Sequence, residues 1–147
     1  MGATYYRFRK IHLSKKHPGL CKATCPKTDN HPYGAIADLI NTLKAVFGLN
    51  LSDYLSYVIP DEFEDTHFWN LKKLEKQGEL LSRLEQIIEN YCETIMNALA
   101  IGEKPELAAL LATKKLKLTK EDVEYQAIWI RRWINDLRKG FFIGYVF

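Results

Sequence analysis

A chain of 147 residues that is 47% hydrophobic and 27% charged can bury roughly 70% of its unfolded surface in one core, and is too apolar to stay disordered. It has no run of the ~18 apolar residues a membrane span needs, and no apolar signal core follows the basic, aromatic opening MGATYYRFRK. The net charge of +3 is segregated, with +6 over residues 1–32, −7 over 33–112 and +4 over 113–147, and the odd cysteine count (Cys21, Cys25, Cys92) fits free thiols.

A single cytoplasmic domain over 1–147, without membrane contact, is therefore expected. Residues 4–13, TYYRFRKIHL, are rich in aromatic and branched side chains and predict a strand. Tyr6 and Phe8 fall on one face and Ile11 and Leu13 on the other, so a bulge is expected near Arg9 or Lys10. Residues 14–32 hold three of the five prolines and predict a long, basic, Cys/His-containing loop. Ile36, Leu39, Ile40, Leu43 and Phe47 recur at helical spacing, with Gly48 placed to end the helix. A short helix should run from Ser52 to just before Pro60.

The dominant expected element is one helix over about 67–100, capped by Thr66 and ~50 Å long. Leu74, Leu81, Leu84, Ile88, Tyr91, Ile95 and Ala98 keep heptad spacing, with Gln77 as the polar exception and Gly78 as the weak point. Pro105, Leu107, Leu110 and Leu111 suggest a short helix. Thr119 and Asp122 form a capping box that opens a last helix to about Lys139, whose stripe is Val123, Ala127, Ile130, Trp133, Ile134 and Leu137. FFIGYVF closes the chain as a strand. The expected fold class is mainly α (α+β). It is a helical bundle in which the long helix packs antiparallel to the C-terminal helix (119–139), with a small two-stranded antiparallel sheet formed by the terminal strands.

Four constellations carry chemistry. His17, Cys21, Cys25 and His31, as H-x3-C-x3-C-x5-H, offer two imidazoles and two thiolates for tetrahedral zinc, although x3 is not the usual thiolate spacing. The competing reading is a basic loop with incidental thiols. Arg7, Arg9, Lys10, Lys15 and Lys16 interleave with Tyr5, Tyr6 and Phe8, and Arg131, Arg132 and the lysines at 114, 115, 117 and 120 extend the charge. Cations for phosphate and rings for bases suit nucleic acid or an acidic partner. Asp61, Glu62, Glu64 and Asp65 precede His67, where the helix dipole favours them. The alternative is divalent-metal chemistry: Glu64 and His67 form one E-x-x-H on the expected helix, and Glu62/Asp65 with Glu121/Glu124 would suit a metal-dependent nucleotide hydrolase. Glu85, Glu89 and Glu93 form an acidic stripe, either solvated or docking a basic surface.

Cys92 reads as a small buried hydrophobe, and no Gly-rich phosphate loop, nucleophile elbow or H-E-x-x-H is present. Tyr125, Trp129 and Trp133 fall at helical spacing and read as core packing against the long helix, where any ring left outside that core would anchor an interface. The first reading is therefore a non-enzymatic protein-interaction or regulatory module of inhibitor or adaptor type. It would act as a homo-oligomer, through the long helices or through an apolar patch that the last helix leaves open. Nucleic-acid binding through the terminal strands and metal-dependent nucleotide hydrolysis at 61–67 are the alternatives.

Overall fold

Period-two alternation along the two terminal strands sorts the molecule into layers. The computed structural model describes residues 2–9, 11–24, 27–55, 57–58, 66–101 and 118–146. Strand β1 (Gly2–Phe8) sends Ala3 and Tyr5 to one face and Tyr6 and Phe8 to the other. Strand β7 (Phe142–Val146) repeats this, with Ile143 and Tyr145 opposite in sense to Phe142 and Val146. Both faces of this pair are covered, which is why FFIGYVF is apolar throughout. The strands run antiparallel, with Tyr5 opposite Tyr145 and Phe8 opposite Phe142. Strand β4 (Lys27–Pro32) lies antiparallel along β1, and the two-residue β5 (Tyr57–Val58) lies parallel beside Tyr145 and Val146. The sheet order is β4-β1-β7-β5.

A second, antiparallel sheet joins β2 (His12–Leu13), β3 (Leu20–Thr24) and β6 (Thr66–Asn70), in the order β2-β3-β6. Its inner face brings Cys21, Ala23 and Trp69 against Phe8, Leu74 and Val146. Trp69 lies so close over Gly144 that a Cβ there would overlap the indole Cζ3. The glycine in FFIGYVF is therefore what lets the two sheets meet.

The helices cover the other face of the four-stranded sheet. They are α1 (Tyr33–Phe47), α2 (Leu71–Glu75), α3 (Gln77–Ile88), α4 (Tyr91–Ile101) and α5 (Lys120–Arg138). α1 buries Ile36, Leu39, Leu43 and Val46 and stops at Gly48, whose φ of 64° is left-handed. α5 opens on a complete capping box: Thr119 Oγ1 accepts from the Asp122 N–H, and the Asp122 carboxylate accepts from the Thr119 N–H. Leu80, Leu84, Tyr91 and Ile95 meet Ala127, Ile130 and Trp133 in the main core. Arg138 reaches Glu85 while Tyr91 reaches Gln126, so α3 and α4 run antiparallel to α5.

The architecture is thus an α+β sandwich of layers and not a helical bundle with a two-stranded sheet. The single long helix is the main correction. Residues 66–70 are a strand paired with β3, because Thr-His-Phe-Trp is β-branched and aromatic and its alternation buries Trp69. The helix starts only at Leu71, capped by the Asn70 side chain. It is then interrupted at Lys76 and again at Glu89–Asn90.

Residues 14–32 are not one loop, since β3 and β4 occupy 20–24 and 27–32. The terminal strands pair, but as the centre of a four-stranded sheet. No bulge at Arg9 is needed, because β1 ends at Phe8 and β2 belongs to the other sheet. The shift in register lies between Tyr5 and Tyr6 on the β4 side. The helix expected after Ser52 is a single 3-10 turn, Leu51–Asp53, and the Ser52 hydroxyl donates to the Asn50 side chain. The elements expected around Pro105 lie outside the described residues. Among the described residues, no helix is long and apolar enough to cross a membrane.

Candidate functional site

The arginines at the end of the first strand are held by partners at the end of α5 and beyond it, while still reaching solvent. Arg7 Nη1 donates to Asp136 Oδ1 at 3.0 Å, and Tyr5 donates to the other carboxylate oxygen at 2.6 Å. Asp136 is buried on α5, so Arg7 neutralises a charge the core would otherwise strand. Burial and the Asp136 carboxylate both push the Tyr5 phenol above its ordinary range, which keeps it a donor. Arg7 and Arg9 stack on Phe141, at 4.9 and 4.2 Å from the ring centre, and Arg9 also donates to the Lys139 carbonyl. These two guanidiniums tie the sheet to the end of α5. Lys10 lies outside the described residues.

A second buried network gathers around His31. Its ring stacks on Trp129 at 3.9 Å with the planes 3° apart, and Nδ1 lies 2.9 Å from the Tyr145 hydroxyl. That hydroxyl also accepts from Trp133 Nε1 at 3.0 Å. Burial, with the nearby Arg132 charge, lowers the imidazole pKa to about 4. Arg132 lies over both Tyr5 and Trp129 and pairs with Asp29 at 2.7 Å. The arrangement is a clamp that joins β4 to α5.

The metal set proposed from spacing is not assembled by the described residues. His17 stands exposed in the turn after β2, edge-on to Phe68. Cys21 is buried beneath the small sheet, where desolvation pushes its thiol up and disfavours the thiolate. His31 belongs to the main core, and Cys25 lies outside the described residues. No group of three or more His, Cys, Asp or Glu among the described residues could hold a metal ion. The acidic run 61–65 also lies outside them. Residues 66–70 form a strand, so the helix start that would have set Glu64 and His67 on one face is not there.

The outward face of α5 is different in kind. Val123, Ala127, Ile130, Trp133 and Leu137 point into the core, which leaves Glu121, Glu124, Tyr125, Ile128 and Arg131 on the opposite side. Ile128 is 60% exposed and Tyr125 39%. An acidic pair therefore precedes this apolar centre by one to two turns, and an arginine follows it by one. Arg132 borders the same face. Tyr125 also lines a small cavity of about 150 Å³ with Ala35, Asp38, Asp122 and Gln126.

No family model, no curated protein and no solved structure matches the chain. Functional inference therefore rests on these surfaces alone. Helical spacing groups Tyr125 with Trp129 and Trp133 as core, but only the two tryptophans are buried. Ile128 could have been found on the same helical wheel, opposite the stripe that carries Trp133.

Proposed function

We propose that this protein is a non-enzymatic interaction module that self-associates through the outer face of α5. The supporting observation is Ile128, a large aliphatic side chain left 60% exposed at the centre of a charge-graded helix. A two-fold axis through Ile128 makes this face its own complement. Position 125 then meets 131, so Tyr125 of one copy stacks on Arg131 of the other. Tyrosine and arginine around an aliphatic centre have the composition of an interface anchor.

A single helix face buries less than the ~800 Å² per partner of a standard interface, so the dimer should be weak, with a dissociation constant on the order of 10–100 µM. Sedimentation or light scattering across that range tests it directly. The mass should rise towards twice the monomer, and Ile128→Asp should hold the protein monomeric without loss of helical signal. Ile128→Cys should form a disulfide-linked dimer under mild oxidation, because a residue on the axis meets its own copy. A wild-type mass that stays monomeric at several hundred micromolar rejects the reading.

A further inference from the structure

The outer face of the small sheet carries a feature unrelated to α5. Strand register places His12 opposite Lys22, and Lys22 opposite Phe68. One row across the three strands therefore reads His, Lys, Phe on the side away from the buried Cys21 and Trp69. The turn between β2 and β3 folds back beside this row. The Ser14 N–H donates to the Leu20 carbonyl and the Leu20 N–H to the His17 carbonyl, while the Ser14 hydroxyl accepts from the His17 N–H. The start of α2 braces the turn through the Leu71 N–H on the Gly19 carbonyl. Together they enclose a cleft of about 520 Å³ lined by Leu13, Lys15, Lys16, His17, Lys22 and Phe68, with Ser14 at its edge.

Among the described residues, three ammonium groups and an imidazole line this cleft and no carboxylate does. Nothing in it resembles a catalytic set. Exposed lysines attract any polyanion, but a half-buried phenylalanine with a histidine ring held edge-on at 5.2 Å is a surface for flat, apolar faces. One ligand class presents both a phosphate every few ångströms and an unpaired ring beside it. We propose that this cleft binds single-stranded nucleic acid. Lys15, Lys16 and Lys22 neutralise successive phosphates, and Phe68 takes a base on its open face. The site keeps Lys15 and Lys16 of the set expected from sequence but not Arg7 and Arg9, which are committed to Asp136 and Phe141.

Fluorescence anisotropy with a labelled dT12 oligonucleotide on the intact chain tests this. Three phosphate contacts give a salt slope near −2 on single strands, so affinity should fall roughly fifteenfold between 50 and 200 mM salt. Replacing Lys15, Lys16 and Lys22 together by Gln, all exposed and so harmless to the fold, should remove both the binding and the slope. Phe68→Leu should weaken binding about tenfold while leaving the slope intact, because stacking is lost but the charges remain. Phe68→Tyr, which keeps the ring, should bind like the parent and controls for folding. Inorganic polyphosphate, which has no rings, should bind at least tenfold more weakly than dT12. Equal affinity for polyphosphate or for duplex DNA, or an unchanged affinity in Phe68→Leu, overturns the proposal. Binding should persist per chain in Ile128→Asp, so this result and the oligomeric state fail independently.

Discussion

Asp136 shows how a single carboxylate organises its surroundings. It is buried, yet both oxygens are satisfied, one by Tyr5 and one by Arg7. Arg7 is itself 42% exposed, so losing the pair would free it into water and not strand it. The larger loss is the Tyr5 hydroxyl, which has no solvent to turn to. Asp136→Ala should therefore cost about 1–3 kcal/mol, the range for an orphaned buried donor, readable as a drop in denaturation midpoint. Tyr5→Phe combined with it should recover part of that loss, and a fully additive double mutant would show that the two groups do not interact. His31 gives a second residue-scale expectation. Its folded pKa of about 4 lies below the 6.5 of an unperturbed imidazole, because burial, then Arg132, disfavour the cation, with Asp29 opposing weakly. Between pH 6.5 and about 4 the unfolded chain binds a proton that the folded chain refuses. Stability from this source is therefore full above pH 6.5 and declines as pH falls, at up to about 1.4 kcal/mol per unit. Denaturant titrations of the wild type and His31→Gln at pH 7, 6 and 5 should diverge in slope, and parallel curves would contradict the assignment.

Among the elements, Gln77 explains what heptad counting could not. Its side-chain amide donates to the Ile143 carbonyl at 2.9 Å and its carbonyl accepts from the Ile143 N–H at 3.0 Å. Among the described residues, β5 pairs with Tyr145 and Val146, and Gln77 serves as the hydrogen-bond partner of Ile143 on that edge. A polar residue at a heptad core position looked like a tolerated exception. It opens α3 directly after the break at Lys76 and finishes a sheet edge. Gln77→Leu should orphan both backbone groups and cost about 2–4 kcal/mol, whereas Thr119→Ala at the α5 capping box should cost only about 1 kcal/mol. Thermal melts of the two variants rank them directly, and the reverse order would contradict this account. α1 and α5 were legible because their stops and caps are local signals: Gly48, Gly140, Thr119 and Asp122. Residues 66–70, 20–24 and 27–32 were not, because their strand character depends on distant partners, 46 positions away for the Lys22–Phe68 pair and 28 for Ala3–His31. The candidate sites divide in the same way. Helical spacing placed Tyr125 on the last helix with Trp129 and Trp133, while the pairing of Arg7 with buried Asp136 and the His12–Lys22–Phe68 row exist only once registers are set.

For the whole molecule, the β1–β7 pair is the shared wall of two cores. Among the described residues, the core under the helices holds twenty-four buried hydrophobic members and the one under the small sheet six. A wall common to both predicts one cooperative unfolding transition, as for a single domain, since neither core keeps its shape without β1 and β7. The imbalance predicts that the small sheet opens first below that transition. Native-state hydrogen exchange should show the amides of Cys21, Lys22 and Trp69 exchanging at lower free energy than those of Tyr5 and Tyr145. Gly144→Ala presses on the joint between the layers, because the added methyl meets the Trp69 ring. Overpacking of this kind costs about 1–3 kcal/mol. The change should spread unevenly, with protection lost across β3 and β6 while α5 and its Thr119 cap keep theirs. Uniform loss over both layers would mean that the small sheet has no stability of its own to lose, and that the two cores open together.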